Sequence, residues 1–371
     1  MMAKLQRITL RGFKSIRDLS LPMHSLNVLI GVNGAGKSNL VSFLKMINEM
    51  MGGRLQEYIA ASGRAQSLLH FGPKVTPQME ATLEFDAENG TDTYMMRLFH
   101  AAGDTLVFAE EKLSFLESGR QGPPKVLDLG AGHQETRVRD EADGGEPTAR
   151  VFRHLLNQCR VFHFHDTSAT ARVRQYCYVG DDRWLMPDAG NLAAMLHRLR
   201  NQEQGPAYRR ILTSIRRIAP FFEDFDLEPT GAGEKDIILN WRQKGSDQVF
   251  GPHQLSDGTI RAMALVTLLE QPTDDLPNLI FVDEPELGLH PDAKTIIAGL
   301  LKKASHHCQV VVATQSAALL DSFDAEDVVV VERDLKESKF RRQDGAALQE
   351  WLEEYSLGQL WEKNVLGGGP F

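Results

Sequence analysis

The sequence has little cysteine and no long apolar run. Its three cysteines, Cys159, Cys177 and Cys308, are too few and too far apart for a disulfide framework or a Cys-x-x-Cys metal site. We therefore expect a reducing cytoplasm as the compartment. No 18 consecutive apolar residues occur, which argues against a membrane-spanning helix. The opening MMAKLQRITLRGF also lacks the apolar core of a secretory signal.

Positive charge is scarce overall but locally dense. The formal net charge of the 371 residues is −9, which argues against a protein that coats nucleic acid uniformly. Residues 151–220, called the arginine segment below, nevertheless contain eleven arginines, no lysine and five acids. This local excess of positive charge predicts an anionic partner for the segment.

Hydrophobic periodicity predicts an α/β protein in four parts. Residues 1–117 form a lobe in which an apolar strand, a helix from about 37 to 51 and a period-two meander follow one another. Residues 118–149, rich in glycine, proline and charge, are predicted to be a loop or a disordered segment. Residues 150–235 are interpreted as an inserted, arginine-rich helical subdomain. Residues 236–371 alternate apolar strands with helices, which predicts a parallel sheet covered on both faces.

The stretch GVNGAGKS at residues 31–38 fits the pattern G-x-x-x-x-G-K-[ST] between a strand and a helix. That context predicts a nucleotide phosphate loop. Its glycines let backbone N–H groups turn toward phosphate oxygens, and the following helix N-terminus adds partial positive charge. We expect Lys37 to reach the β- and γ-phosphates and the Ser38 hydroxyl to bind Mg²⁺.

An acidic pair follows the apolar strand NLIFV. Asp283 is placed to bind Mg²⁺, and Glu284 to orient and deprotonate an attacking water. The next apolar strand ends in Thr314, Gln315 and Ser316, any of which could contact the γ-phosphate. The turn QLSDGT at residues 254–259 offers a hydroxyl and backbone N–H groups at another helix start, which predicts a second anion site.

Together these motifs resemble the ABC-type ATPases of the soluble branch. That branch includes RecF-like proteins, structural-maintenance-of-chromosomes heads and overcoming-lysogenisation-defect ATPases. The resemblance rests on LRGFKSI, GVNGAGKSN, LSDGT, FVDEPELGLHP and ATQS, in that order. The closing WLEEYSLGQLWEKNVLGG is similar to the tails of stand-alone members. The implied fold is an ABC-type head, with a mixed and largely parallel sheet core, an antiparallel β subdomain and an inserted helical region.

The resemblance implies a role for each matching residue. Lys37 and Ser38 would hold phosphate and magnesium, Asp283 would be the Walker B acid and Glu284 the catalytic base. Gln315 stands where transporters have a switch histidine, so the sensing of the γ-phosphate and the hydrolysis rate stay open. The glutamine of the usual Q-loop is not assigned. The remaining residues expected at the nucleotide lie in three short stretches. The first contains Arg11 and Lys14, and the last contains Ser256 and Gly258. The second is the phosphate loop and the residue after it, with Gly31, Asn33, Gly34, Ala35, Gly36 and Asn39.

In such ATPases the signature LSDGT of one head contacts the γ-phosphate held by the other. The resemblance therefore implies a homodimer or higher oligomer that closes on ATP and Mg²⁺. Surface charge without a ligand is the alternative for Arg11 and Lys14. For His163 and His165, paired core or interface histidines are favoured over a metal site, because no third ligand is evident.

The arginine segment leaves two interpretations open. Arginine binds phosphate and carboxylate groups bidentately, so Arg209, Arg210, Arg216 and Arg217 could contact DNA or a partner protein. They could equally pair with this acidic chain's own carboxylates.

The leading hypothesis is an ATPase whose cycle drives DNA repair or defence against foreign DNA, with a separately encoded effector such as a nuclease or toxin. No nuclease is expected in this chain, since the residues after DVVVVER contain no strand-borne acidic triad. The first alternative is a slow ATP-gated clamp that regulates a partner protein without binding DNA. The second is a transporter ATPase subunit, against which the arginine segment and the unassigned Q-loop argue.

Overall fold

The computed structural model describes residues 3–119, 122–202 and 205–369. Four short ranges therefore lie outside the described residues. Two are in the middle of the chain, 120–121 of the predicted loop and 203–204 of the arginine segment. The other two, 1–2 and 370–371, belong to the two terminal lobes. None of the helices within the described ranges is long and apolar enough to cross a membrane.

The strands, in chain order, are β1 (Lys4–Phe13), β2 (Ile16–Pro22), β3 (Leu26–Ile30), β4 (Gln78–Ala87), β5 (Gly90–Ala101), β6 (Thr105–Glu117), β7 (Lys125–Gly130), β8 (Cys159–Phe162), β9 (Cys177–Tyr178), β10 (Phe222–Asp226), β11 (Asp236–Ile237), β12 (Asn240–Gln243), β13 (Val249–Phe250), β14 (Leu279–Asp283), β15 (Gln309–Thr314), β16 (Val328–Asp334) and β17 (Glu337–Arg342). The helices are α1 (Lys37–Met51), α2 (Leu55–Ala61), α3 (Arg64–Leu68), α4 (Val138–Asp143), α5 (Pro147–Asn157), α6 (Leu192–Asn201), α7 (Pro206–Ile218), α8 (Asp257–Glu270), α9 (Pro291–Ser305), α10 (Ala317–Leu320), α11 (Gly345–Leu352) and α12 (Leu357–Glu362).

Two six-stranded sheets organise the chain. The central sheet has the order β17-β16-β3-β15-β14-β8, with β16, β3, β15, β14 and β8 parallel and β17 antiparallel at one edge. The second sheet, β2-β1-β4-β5-β6-β7, is antiparallel throughout. This confirms the predicted α/β fold with a largely parallel core and an antiparallel β subdomain.

The central sheet separates two apolar cores, because side chains of a strand alternate between its faces. On one face, Leu29 and Val311 pack with α1 and the antiparallel sheet. On the other, Val28 and Val310 pack with α6, α7, α8 and α9. The central strands are fully buried, as their continuous apolar sequences require. Strand β3 therefore carries α1, while α8 lies in the opposite layer.

Two expectations about the middle of the chain are wrong. Residues 118–149 are not a loop throughout, since β7 extends the antiparallel sheet and α4 packs beside α5. Residues 150–235 are not a separate helical subdomain, because β8 is an edge strand of the central sheet and α6 and α7 share the core of α8 and α9. Strand β8 is four residues long, too short for periodicity to reveal it.

Candidate nucleotide site

The candidate site lies where three parallel strands of the central sheet end together. Ile30, the last residue of β3, is in register with Thr314 of β15, and Asp283 of β14 is in register with Ala313. The phosphate loop (residues 31–38) and the acidic pair therefore leave the same edge of the sheet on either side of β15. They are separated by two strand spacings, roughly 10 Å.

The phosphate loop is shaped by backbone conformations that favour glycine. Gly34 and Gly36 have φ of 80° and 118°, which a side chain at Cβ disfavours. A Cβ on Gly36 would also lie 1.9 Å from Ser338 Oγ, and one on Gly31 would lie 2.2 Å from the Val331 carbonyl oxygen. The loop thus presents its backbone, in a form that only glycine at these positions permits.

Lys37 begins α1 and is buried over the loop. Its Nζ donates to the carbonyls of Gly31 (2.6 Å) and Val32 (3.3 Å). Burial lowers the pKa of Lys37, and the charges of Glu284, Asp283 and Glu286 oppose that shift. The lysine therefore faces the acids, while Ser38 one residue later is exposed.

The acidic pair sits at the end of β14 in an unusual backbone conformation. Burial raises the pKa of Asp283, while the nearby charges of His165, Lys45 and Lys37 act in the opposite direction. Glu284 has φ of 44°, and its N–H donates to the Ala313 carbonyl (2.8 Å). A non-glycine residue in this left-handed region is strained, and such strain concentrates at functional sites.

The three candidates after β15 differ in what their side chains contact. Thr314 is buried and its hydroxyl donates to Glu286 Oε1 (2.5 Å). Ser316 Oγ accepts from Leu319 N (3.2 Å) and caps α10. Among the described residues, the side-chain amide of Gln315 has no hydrogen-bond partner, so it is available to contact a ligand at this edge.

Sequence reasoning missed three residues that face the acidic pair. Lys45 lies two turns along α1 from Lys37, and its charge acts on Asp283. His165 follows β8, and its Nε2 donates to the Asp283 carbonyl (3.1 Å). Glu286 is buried and its Oε2 has no hydrogen-bond partner within the described part of the chain. The i, i+8 spacing on the helix could have revealed Lys45, whereas His165 becomes apparent only once β8 pairs with β14.

A cavity of about 650 Å³ opens beside the phosphate loop. Lys14 lines it, and its lining also includes Phe71, Lys74, Arg333 and Lys336, which the sequence did not single out. Arg333 Nη1 donates to the Gly34 carbonyl (3.2 Å), which joins the cavity to the phosphate loop. Lys74 and Lys336 have no ion-pair partner among the described residues, and Phe71 is 52% exposed. We call this the basic cavity.

Lys14 and Arg11 are separated by the structure. Lys14 is half-buried, and its Nζ donates to Ser42 Oγ of α1 (2.9 Å). Nearby, Ser15 and Ser338 share a hydrogen bond between hydroxyls (2.6 Å). Arg11 instead forms an exposed ion pair with Asp18 (3.0 Å) and lines a different cavity, of about 510 Å³. Lys14 thus lies at the candidate site, and Arg11 lies outside its cavity.

The signature turn, residues 255–259, begins α8 in the opposite layer from α1. Ser256 is exposed and caps α8, because its Oγ accepts from Thr259 N (3.2 Å). Gly258 packs on the loop after β14, where a Cβ would lie 2.2 Å from the Gly288 carbonyl oxygen. Ser256 and the phosphate loop of the same chain therefore lie in different layers of the structure.

Most of the arginine segment contacts this chain's own acceptors. Arg210 pairs with Glu270 (3.4 Å), and Arg216 Nε donates to the Glu223 carbonyl (2.8 Å). Among the described residues, the guanidinium groups of Arg209 and Arg217 have no partner. Carboxylate partners are also present for Arg153, Arg172, Arg174, Arg198 and Arg200. The four arginines considered for a DNA or partner contact thus divide into two with partners and two without one among the described residues.

The described residues include no cluster of three or more His, Cys, Asp or Glu that could hold a metal by itself. His163 and His165 follow β8 rather than sharing a strand face, and their ring centroids are 6.4 Å apart. The Ser38 hydroxyl on the phosphate loop and Asp283 at the end of β14 nonetheless fit magnesium, which takes one or two carboxylates together with substrate phosphates. The same residues fit a nucleotide, because the glycines of the phosphate loop leave its backbone open to phosphate groups.

The fold and this site define a P-loop ATPase of the ABC-head class. The chain belongs to the family described as AAA domain, putative AbiEii toxin, Type IV TA system, whose model matches residues 123–321, more than half of the chain. Residues 2–55, which include the phosphate loop, match a second family described as a protein of unknown function. No curated protein matches the chain.

Solved structures share the fold at low sequence identity. An Smc head bound to the C-winged helix domain of ScpA is 14% identical, with a TM-score of 0.60 over 93% of this chain and 99% of that chain. An Smc head from Pyrococcus furiosus, with an extended coiled coil and the C-terminal domain of ScpA, is 14% identical, with a TM-score of 0.61 over 95% and 99%. An Smc head with a coiled coil and joint from Pyrococcus yayanosii is 12% identical, with a TM-score of 0.55 over 95% and 99%.

Proposed function

We propose that this ATPase hydrolyses ATP to ADP and phosphate at the edge formed by β3, β15 and β14. Lys37 binds the β- and γ-phosphates, and the Ser38 hydroxyl and Asp283 hold Mg²⁺, which neutralises phosphate charge when bound. Glu284 orients the attacking water and accepts its proton. Gln315 contacts the γ-phosphate. The in-register ends of β3, β15 and β14 support this assignment.

The remaining nucleotide contacts extend from the loop into the basic cavity. Gly31, Asn33, Gly34, Ala35, Gly36 and Asn39 form the phosphate cradle. Lys14 then binds the ribose or the α-phosphate, and Phe71 and Lys336 line the space for the nucleoside. Support comes from the hydrogen bond of Arg333 to Gly34, which joins cavity and loop. Arg11 forms an ion pair with Asp18 and is not one of the proposed nucleotide contacts.

The hydrolytic unit is a dimer in which two ATP molecules are enclosed by two heads. The observation that carries this proposal is the position of Ser256, exposed at the start of a helix whose core lies across the central sheet from α1. Ser256 and Gly258 have backbone and hydroxyl groups that suit an anion, yet they belong to the other layer. A second copy supplies the phosphate that they bind.

Light scattering of the Glu284→Gln variant tests the dimer. This variant should keep ATP bound without hydrolysis, so ATP and Mg²⁺ should double its mass. The same variant carrying Ser256→Arg should stay monomeric while keeping its circular dichroism spectrum and its melting temperature. A Glu284→Gln protein that remains a monomer at saturating ATP would contradict the proposal.

The ATP cycle drives a DNA-related process in the cytoplasm, such as repair or defence against foreign DNA, together with a separately encoded effector. Arg209 and Arg217 support the DNA contact, because their guanidinium groups are exposed and unpaired among the described residues. Arg210 and Arg216 contribute only if they leave their present partners. DNA-stimulated ATP turnover is the direct measurement.

A second candidate function is a slow ATP-gated clamp that regulates a partner protein, a nuclease or toxin, without contacting DNA. The internal ion pairs of the arginine segment favour it, since paired guanidinium groups are not free to neutralise phosphates. The family description, which names a putative toxin system, and the ScpA-bound Smc heads also favour a protein partner. ATP turnover that DNA leaves unchanged, with an effector protein recovered by native purification, distinguishes this candidate.

A further inference from the structure

One residue of the arginine segment is buried, and it contacts the signature turn. Arg174 is 5% exposed, whereas the other ten arginines of the segment are half-buried or exposed. Burying a guanidinium is unfavourable unless its donors are hydrogen-bonded and its charge is paired. The contacts of Arg174 therefore identify the groups that stabilise its buried charge.

Arg174 contacts the residues on both sides of Ser256. Its Nη1 donates to the carbonyl of Leu255 (3.2 Å), and its Nη2 donates to the Asp257 carboxylate (2.8 Å). Its Nε donates to the carbonyl of Thr167 (2.8 Å), in the loop that follows β8. One rigid guanidinium thus joins the signature turn to that loop, with donors in a fixed planar geometry that lysine lacks.

The loop after β8 in turn contacts both α8 and the acid end of β14. Arg261, one turn into α8, donates to the carbonyls of Phe164 (3.0 Å) and His165 (2.8 Å). His165 Nε2 donates to the Asp283 carbonyl (3.1 Å). The start of α8 is therefore fixed by directional hydrogen bonds to a loop that also contacts the backbone of Asp283.

We propose that Arg174 is a positioning residue for the signature turn and that it acts on the partner's nucleotide. The inference rests on the proposed ATP-closed dimer, in which Arg174 sets the position of Ser256 without touching ATP. Removal of Arg174 then impairs hydrolysis at the site whose phosphate loop belongs to the other protomer. The nucleotide bound by the same protomer's loop is affected far less, because Lys37 lies on a different element.

Mixing two inactive variants separates an effect on the partner's site from an effect on the protomer's own. Arg174→Gln alone and Glu284→Gln alone should each reduce turnover at least tenfold. In a mixed dimer, the Arg174→Gln protomer supplies an intact phosphate loop and Glu284, and the Glu284→Gln protomer supplies an intact signature turn. An equal mixture should recover roughly a quarter of wild-type activity, since half of the dimers are mixed and each has one intact site.

The mixture of Ser256→Ala with Glu284→Gln serves as the reference for the dimer itself. Recovery in both mixtures supports the inference. Recovery with Ser256→Ala but not with Arg174→Gln overturns the inference and leaves the dimer standing. If neither mixture recovers, the proposed dimer is wrong and the inference fails with it.

Steady-state parameters and a conservative variant provide a second readout. Arg174→Gln should lower kcat at least tenfold, while the affinity of the isolated protomer for a fluorescent ATP analogue changes less than twofold. Arg174→Lys should recover only part of kcat, because it restores the charge next to Asp257 but not the planar set of guanidinium hydrogen bonds. Arg172→Gln is the matched control, since Arg172 is exposed and pairs with Asp188, and its kcat should equal that of the wild type. Equal decreases of kcat and nucleotide affinity in Arg174→Gln would indicate damage to the fold and overturn the inference.

Discussion

Two regions of the molecule concentrate positive charge, and their cations differ in what they contact. In the arginine segment, most guanidinium groups pair with carboxylates or carbonyls of the same chain, and Arg160 and Arg183 lie over the ring of Trp184. In the basic cavity, Lys74 and Lys336 have no ion-pair partner among the described residues, and none of the described residues that line the cavity is acidic. The region richer in arginine therefore leaves the smaller share of its cations unpaired among the described residues.

This difference shows why charge counts along a sequence mislead about ligands. A paired guanidinium must leave its partner before it can bind a phosphate. The free energy of the broken ion pair is then subtracted from the free energy of phosphate binding. A lysine that faces an open cavity has no such interaction to give up. The comparison favours the basic cavity, rather than most of the arginine segment, as the surface that binds an anion.

The largest expected effect concerns Lys37, a buried cation whose hydrogen bonds within the described part of the chain go to backbone carbonyls. Lys37→Ala should reduce ATP turnover by about 10²–10³-fold, the usual consequence of removing one preorganised donor from developing charge. Stopped-flow measurement of phosphate release checks this. A Lys37→Ala protein that retains more than a tenth of the wild-type turnover would contradict the assignment of the loop.

The second prediction tests the basic cavity against the arginine segment directly. Reversing charge in Lys74→Glu/Lys336→Glu should raise the Kd for ATP about tenfold, because two attractive interactions with a polyanion become repulsive. The matched control is Arg209→Glu/Arg217→Glu, which changes net charge equally but should leave the Kd for ATP unchanged. Titration with a fluorescent ATP analogue measures both. Equal shifts in the two variants would show that the cavity has no special role.

The motifs that come from contiguous residues were predictable from the sequence. The helix predicted from about 37 to 51 is α1, because local periodicity defines it. The neighbouring positions of β14 and β15 were also predicted, since apolar strands that alternate with helices form a parallel sheet.

Residues that meet through long-range pairing were not predictable. His165 reaches Asp283 only because the four-residue β8 pairs with the distant β14, which places Cys159 opposite Leu279. Arg333 and Lys336 join Lys14 because β17 packs on the turn between β1 and β2, where Ser338 N donates to the Ser15 carbonyl (2.9 Å). The two interpretations of the arginine segment stayed open for the same reason, since ion partners such as Asp275 and Glu270 lie outside it.

The third prediction sharpens the comparison within the arginine segment. Arg209→Glu/Arg217→Glu should weaken DNA binding several-fold at low salt and flatten its salt dependence, with a slope change of roughly 0.9 for each phosphate that is no longer neutralised. Arg198→Gln/Arg200→Gln is the control, because these guanidinium groups are held by Asp275 and Glu228 and should not contribute. Fluorescence anisotropy with a labelled duplex provides the affinities. Unchanged affinity in the first variant would favour the protein-partner function.

The smallest expected effect is a difference in ATP affinity between variants of Lys14 and Arg11, which are only three residues apart. Lys14→Gln should raise the Kd for ATP several-fold, since Lys14 lines the basic cavity, whereas Arg11→Gln should change it less than twofold. The reason is that Arg11 already forms an exposed ion pair with Asp18, and such surface pairs contribute little to stability or binding. The same ATP-analogue titration, at two salt concentrations, resolves the pair. Because both changes remove one positive charge, long-range electrostatics affects them alike and only contact with the nucleotide distinguishes them. An equal increase in Kd for both variants would mean that the cavity attracts ATP by its general field rather than by Lys14.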